Sequence, residues 1–149
     1  MDELDRELQK RVWKRVQGNS TMPPLGKLNV KPWILSAQEN AAAYQSLSHT
    51  LTGRESEQMK RLQMESQKCI ACMKGICRLR GEKVKLGPLP PKKENQRNTL
   101  EKCYHREKQL WQNFEQHSGE PEHGIVFARL AHQAQEHCVS IMELLGRLE

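Results

Sequence analysis

The sequence predicts an all-α protein in the form of a four-helix bundle, and two observations carry this prediction. Apolar residues recur at helical spacing through four long segments, and no stretch alternates strictly enough to indicate a β-strand. The longest break, residues 81–97, separates the first two segments from the last two. Two helices, a long connection and two further helices form the layout of a bundle with one crossover.

The ends of the helices follow from local signals. Ser36 and Glu39 have the spacing of a capping box, Asn98 is a candidate N-cap, and Pro121 is a residue favoured in the first turn. Gly81 follows the second helix as a stop signal. The helices are therefore predicted over residues 36–52, 54–80, 98–118 and from about 121 onward.

A shorter amphipathic helix is predicted before the bundle, over residues 2–17. Its apolar residues repeat every four positions, at Leu4, Leu8, Val12 and Val16. Residues 18–33 contain three prolines and two glycines, which indicates a linker. We therefore expect two regions: an N-terminal helix with its linker over 1–35, and the bundle over 36–149.

Composition excludes several classes of protein. The chain has 149 residues, a net charge of +6 and a mean hydropathy of −0.82, and no apolar run is long enough to span a bilayer. The charged start gives no sign of a secretory signal, so a cytoplasmic location is expected. Five cysteines then indicate reduced thiols. The sequence has neither a Gly-rich phosphate loop nor a Gly-x-Ser-x-Gly motif.

One ionisable residue of each bundle helix falls on or beside the apolar stripe. Glu65, Glu107 and His137 interrupt the stripes of the last three helices, and Glu39 lies at the edge of the first. The predicted stripe, or seam, is formed by positions 62, 65, 69, 72, 76 and 79 in the second helix, by 100, 103, 107, 110 and 114 in the third, and by 127, 130, 134, 137, 141 and 144 in the fourth. Burial of a carboxylate is costly unless a metal, a basic partner or a shifted pKa compensates it. Carboxylates and imidazoles are also the ligands of metal sites inside bundles. These four residues are therefore the candidate metal ligands.

Residues 36–147 resemble the ferritin-like superfamily, and in particular its compact rubrerythrin-like branch. The matched features, one set in each helix, are Glu39 followed by Tyr44, Glu65, Glu107 followed by Phe114, and His137 followed by the Leu144-Leu145-Gly146 ending. The resemblance implies a bundle with a di-metal centre. In that family the second and fourth helices each carry Glu-x-x-His.

This sequence departs from the family pattern at two ligand positions. Lys68 stands where the second helix would carry His, and Ala134 stands where the fourth would carry Glu. Lys68 is one turn after Glu65, so the two are expected to pair, and its charge would repel a cation. Cys72 and Cys103, each one turn from a predicted site residue, are candidate substitute ligands that suit zinc. The implied site holds one iron, manganese or zinc ion at most, or none.

The positive charge suggests a second function. Residues 74–93 hold seven Lys or Arg residues and one Glu. Their net charge of +6 equals the net charge of the whole chain. They contain no aromatic residue, so base stacking is not expected there. The first hypothesis is thus a ferritin-like protein with an incomplete metal site and doubtful di-iron redox chemistry. The alternative is a non-catalytic bundle that binds a protein partner, an acidic polymer or a second copy of itself.

Overall fold

Four α-helices contain most of the residues that the structure describes. The computed structural model describes residues 28–89 and 94–148. The helices are α1 (Lys31–Thr50), α2 (Gly53–Leu79), α3 (Gln96–Gln116) and α4 (Gly124–Arg147). No strand occurs within these residues, so the all-α prediction is confirmed for them. The predicted helix over 2–17 and most of its linker lie outside the described residues.

The helices form two antiparallel pairs, α1 with α2 and α3 with α4. Two apolar clusters define the ends of the bundle. The first contains Ile34, Met73, Phe114 and Phe127, and the second contains Tyr44, Leu62, Leu100 and Ile141. Because α2 ends at the first cluster and α3 begins at the second, the connection between them spans the length of the bundle. This confirms the predicted four-helix bundle.

Local interactions explain where the helices begin and end. Helix α1 begins at Lys31, five residues before the predicted start. Pro32 lies in its first turn, where proline is favoured. The N-cap of α3 is Asn95, whose Oδ1 accepts a 2.8 Å hydrogen bond from the backbone N–H of Asn98. The prediction of Asn98 as the cap was therefore wrong. Gly81, with φ of +74°, ends α2 as predicted.

The start of α4 is set by a close backbone contact. It begins at Gly124, three residues after Pro121. A Cβ atom at this position would lie 2.5 Å from the carbonyl oxygen of Ser118, so only glycine permits the approach. The turn between α3 and α4 is held by Arg80 at the end of α2, which forms a salt bridge with Glu120.

The predicted stripes of α3 and α4 are confirmed. Every stripe position of both helices is buried: Leu100, Cys103, Glu107, Leu110, Phe114, Phe127, Leu130, Ala134, His137, Ile141 and Leu144. The register of α2 was partly wrong. Its buried residues include Met59, Ser66 and Met73, whereas Cys72 is exposed and Leu79 is 80% exposed. Of the predicted positions 65, 72 and 79, only Glu65 contacts α4, through Gln133 and His137.

None of the described helices is both long and apolar enough to cross a membrane.

Candidate functional site

A polar layer lies between the two apolar clusters at mid-height of the bundle. Its centre is the pair Glu107 and His137, whose side chains are each 4% exposed. Nδ1 of His137 lies 3.2 Å from Oε1 of Glu107. The same oxygen accepts hydrogen bonds from Asn40 Nδ2 at 3.1 Å and from the Tyr44 hydroxyl at 3.0 Å. Three helices therefore meet at one carboxylate oxygen.

This arrangement compensates a buried negative charge without a metal. Because a carboxylate only accepts, Nδ1 of His137 carries the proton of the shared hydrogen bond. Burial lowers the pKa of His137, but the hydrogen bond and charge of Glu107, reinforced by Glu65, outweigh it and raise the pKa above its ordinary value. Burial, and then the charge of Glu107, raises the pKa of Tyr44, which keeps its hydroxyl a donor.

The second nitrogen of the His137 ring faces Glu65. Nε2 lies 3.7 Å from Oε1 of Glu65, too far for a hydrogen bond, and it has no such partner among residues 28–89 and 94–148. Glu65 is 25% exposed, and its other contacts are Arg61 Nε at 3.6 Å and Gln133 Nε2 at 3.3 Å. The carboxylate of Glu65 lies at the edge between α2 and α4. Ser66 occupies the buried position on α2 that was predicted for Glu65.

The first predicted ligand lies away from the centre. Oε2 of Glu39 forms a 2.9 Å salt bridge with Nε of Arg106 on α3. Arg106 also donates from Nη1 to Oδ1 of Asn40 at 3.3 Å. From α1, Asn40 and Tyr44 contact Glu107, and Ala37 lines the cavity beside the Glu107–His137 pair. Of the four candidate ligands, the structure brings Glu65, Glu107 and His137 together and directs Glu39 to an arginine.

Lys68 does not neutralise the buried carboxylates as expected. It is exposed and forms no salt bridge with the described residues, because its position lies on the outer side of α2. Arg61 and Arg106 instead supply the cations next to Glu65 and Glu39. The cation predicted from sequence is thus replaced by two arginines, one on α2 and one on α3.

A small cavity adjoins the His137 ring. Its volume is about 10 Å³, close to the minimum of roughly 10–15 Å³ that a water molecule needs. Side chains from all four helices line it, among them Ala37, Ser66, Cys69, Ala134 and His137. The small side chains at positions 37 and 134 create this space. Ala134 therefore leaves a gap on α4 at the position where the resemblance implied a carboxylate.

The two candidate substitute ligands do not complete a metal site. Cys72 is exposed on the outside of α2, so its predicted seam position was wrong. Cys103 is buried, and burial raises the pKa of its thiol to about 12, which disfavours the thiolate that binds metals. Cys69 lines the cavity, but burial raises its pKa even more strongly. No group of three or more His, Cys, Asp or Glu suited to a metal occurs among the described residues.

Several residues of the polar layer were not among those predicted from the sequence. The hydrogen bonds of Asn40 and of the Tyr44 hydroxyl to Glu107, and the pairing of Arg106, were not predicted. A signal did exist for Asn40: it lies three residues after Ala37 and four before Tyr44, on the buried face of α1. A buried amide on that stripe requires a partner on a facing helix.

Comparison with known proteins found no match to this chain among family models, curated proteins or solved structures.

Proposed function

We propose that this chain is a ferritin-like bundle whose metal centre is reduced to one incomplete site. In this proposal His137 Nε2 and Glu65 bind a single divalent ion weakly. The observation that carries it is the buried Nε2 atom, which lacks a hydrogen-bond partner among the described residues and faces a carboxylate oxygen 3.7 Å away. Leaving a buried polar atom unpaired costs about 1–3 kcal/mol. An ion between these two atoms would remove that cost.

The arrangement behind the ring supports the proposal. Histidines that bind metals commonly donate their other N–H to a carboxylate, which fixes the tautomer and the ring orientation. Glu107 occupies this position on the Nδ1 side of His137. The free nitrogen is thereby directed toward Glu65 and the cavity.

The order of the helices supports the ferritin-like part of the proposal. Two antiparallel pairs joined by a crossover that runs the length of the bundle form the topology of ferritin-like folds. Gln38 of α1 contacts the crossover, with its Nε2 donating to the Gly87 carbonyl at 3.5 Å. The polar layer lies at mid-height of the bundle, where such folds build their metal centres.

The residues do not fit a centre with two metals. Glu107 already accepts three hydrogen bonds at one oxygen, and Glu39 is bound to Arg106. Alanine occupies positions 37 and 134 at the level of the site. A bound ion would supply positive charge between α2 and α4. We do not propose di-iron redox chemistry.

Metal titration of the full-length protein tests this function. The protein, stripped with a chelator, is titrated with Zn²⁺ and separately with Mn²⁺ by isothermal calorimetry. We expect about one ion per chain with a dissociation constant above roughly 1 μM, because two protein ligands make an incomplete site. His137→Gln should abolish binding, and Glu65→Gln should weaken it at least about tenfold.

The same helix offers a matched control. His132 Nε2 lies 2.8 Å from Glu136 Oε1 on the exposed side of α4. His132→Gln should leave the affinity within about twofold of wild type. Loss of binding in His132→Gln but not in His137→Gln would place the ion at the surface and overturn the proposal. Two tightly bound ions, or none at millimolar metal, would overturn it as well.

A further inference from the structure

Positive charge is concentrated in one part of the described bundle. Residues 53–89, which comprise α2 and the chain after it, hold nine Lys or Arg residues and four Glu residues. The other described residues hold seven Lys or Arg residues and nine Glu residues. The two parts therefore carry net charges of opposite sign.

The outer side of α2 displays much of this charge. Its buried residues follow a single stripe, so the exposed residues occupy the opposite side of the helix. No acidic residue occurs between positions 66 and 81. The small residues Ala71 and Gly75 leave no large side chain protruding from the middle of this side. We define the basic face by its exposed cations: Lys60, Arg61, Lys68, Lys74, Arg78, Lys83 and Lys85.

The central cations of the basic face have no acidic partner among the described residues. Lys60 and Arg61 pair with Glu57 and Glu65 on α2 itself, at 3.3 and 3.6 Å. Lys68, Lys74 and Arg78 form no such pair with any residue in 28–89 or 94–148. At a rise of about 1.5 Å per residue, Lys68 and Arg78 are about 15 Å apart along a rigid helix.

The neighbouring helices leave this charge uncompensated. Glu39, the only acidic residue of α1, is held by Arg106 on the side of α3. On the exposed side of α4, Glu136 pairs with His132. The charge of the basic face is thus directed to solvent, where a polyanion can neutralise it.

We propose that the basic face binds the phosphate backbone of a nucleic-acid duplex without reading its sequence. A duplex presents one negative charge per roughly 1.7 Å of its axis, so cations spread over about 15 Å of the exposed side of α2 meet several phosphates at once. The low surface at Ala71 and Gly75 permits close approach of such a rod. This proposal concerns the outside of α2 and does not depend on metal binding at His137.

Two features of the basic face favour a duplex over a single strand or a lipid surface. Residues 60–85 contain no aromatic side chain, so there is no platform on which single-stranded bases stack. Its exposed large apolar residues are Met64 and Leu79, which lie about four turns apart. These two do not form the continuous apolar stripe by which a helix enters a lipid surface.

Fluorescence anisotropy with a labelled DNA duplex of mixed sequence tests the proposal. The full-length protein is titrated against about 24 base pairs at several salt concentrations upward from about 50 mM. The test variant combines Lys68→Gln, Lys74→Gln and Arg78→Gln. The control variant combines Arg97→Gln, Lys102→Gln and Arg147→Gln, which removes the same charge from outside the basic face.

We expect wild type and control to bind with affinities within about threefold of each other. The test variant should bind at least about tenfold more weakly near 50 mM salt, and its slope of log affinity against log salt should fall by about 3. The single change Lys74→Gln should lower that slope by about 1. Circular dichroism verifies that each variant is folded.

Three results would overturn the proposal. One is the absence of duplex binding by wild type near 50 mM salt. Another is equal weakening in the test and control variants, which would indicate net charge and not the basic face. The third is displacement of the duplex by poly-glutamate at a lower concentration of charge than unlabelled duplex requires, which would assign the face to an acidic protein.

Discussion

Nδ1 of His137 on α4 lies 3.2 Å from Oε1 of Glu107 on α3, with both side chains almost fully buried. The pair separates one apolar cluster, near the start of α4, from another, near its end. Asn40 and Tyr44 donate to the same oxygen, so the layer joins α1 to both helices. A buried pair of this kind contributes little net stability as a whole but makes the loss of either partner costly.

Glu107→Ala is therefore expected to lower the free energy of unfolding by about 3–5 kcal/mol. The substitution leaves the donors of Asn40, Tyr44 and His137 without their acceptor and opens space in the core. Urea denaturation followed by circular dichroism measures the change.

Glu101→Ala is the matched control for Glu107→Ala. Glu101 lies on the exposed side of α3, and its partner Arg97 is exposed too. The control should change the free energy of unfolding by less than about 0.5 kcal/mol. Equal effects of the two substitutions would show that Glu107 is not the centre of the polar layer.

Stability should depend on pH through His137. Burial lowers the pKa of His137, but Glu107 and Glu65 outweigh burial and raise this pKa above its ordinary value of 6.5 in the folded protein. A group of this kind stabilises the fold fully below pH of about 6.5, and the contribution is lost as pH rises through the folded pKa. In a chelator, the difference in unfolding free energy between wild type and His137→Gln should therefore decrease from pH 6 to pH 9.

The measurement is a series of urea denaturation curves across that range. His132→Gln serves as the control, because His132 is exposed and pairs only with Glu136 on its own helix. A difference between wild type and His137→Gln that stays constant, or that grows with pH, would contradict a protonated His137 in the folded state.

Periodicity predicted the helices and the stripes of α3 and α4 because those stripes repeat without ambiguity. In α2, a cysteine and a leucine at positions 72 and 79 suggested a seam that the helix does not follow. Ser66 and Met73 are buried there instead. Apolar character at spacings of three, four and seven residues fits two adjacent rows, and only the packing partner decides between them.

The polar layer was less predictable than the helices. The inward placement of Glu107 and His137 followed from the stripes, and the structure confirms it. The hydrogen bonds from Asn40 and Tyr44 to Glu107 did not follow from the stripes. Contacts between helices depend on the relative height and rotation of the helices. The salt bridge between Glu39 and Arg106 likewise depends on the contact of α1 with α3. Sequence spacing within one helix contains no such information.

Cysteine reactivity should distinguish one thiol from the other four. Cys72 is exposed, whereas Cys69, Cys77, Cys103 and Cys138 are buried. Burial is also the main cause that raises the pKa of each buried thiol, to about 11 in Cys138 and about 12 in Cys103. Because the thiolate is the reactive form, we expect one thiol to react quickly with an aromatic disulfide reagent in the folded protein and five in denaturant.

Cys72→Ser identifies the reactive thiol. This variant should show no fast reaction while it is folded and four reactive thiols in denaturant. A fast phase that persists in Cys72→Ser would show that one of the other four cysteines is accessible to the reagent in the folded protein.

Ala134→Glu tests how the alanine shapes the site. Ala134 lines the cavity one turn before His137, so a carboxylate there would give α4 the Glu-x-x-His spacing. Without metal, the added carboxylate should lower the free energy of unfolding by about 2–4 kcal/mol, since the cavity has room for at most about one water. With Zn²⁺, an added ligand should increase affinity by at least about tenfold. Calorimetry and urea denaturation measure the two effects, with Gln135→Glu as the control of equal charge. Equal zinc affinity in the two variants would show that position 134 does not face the ion.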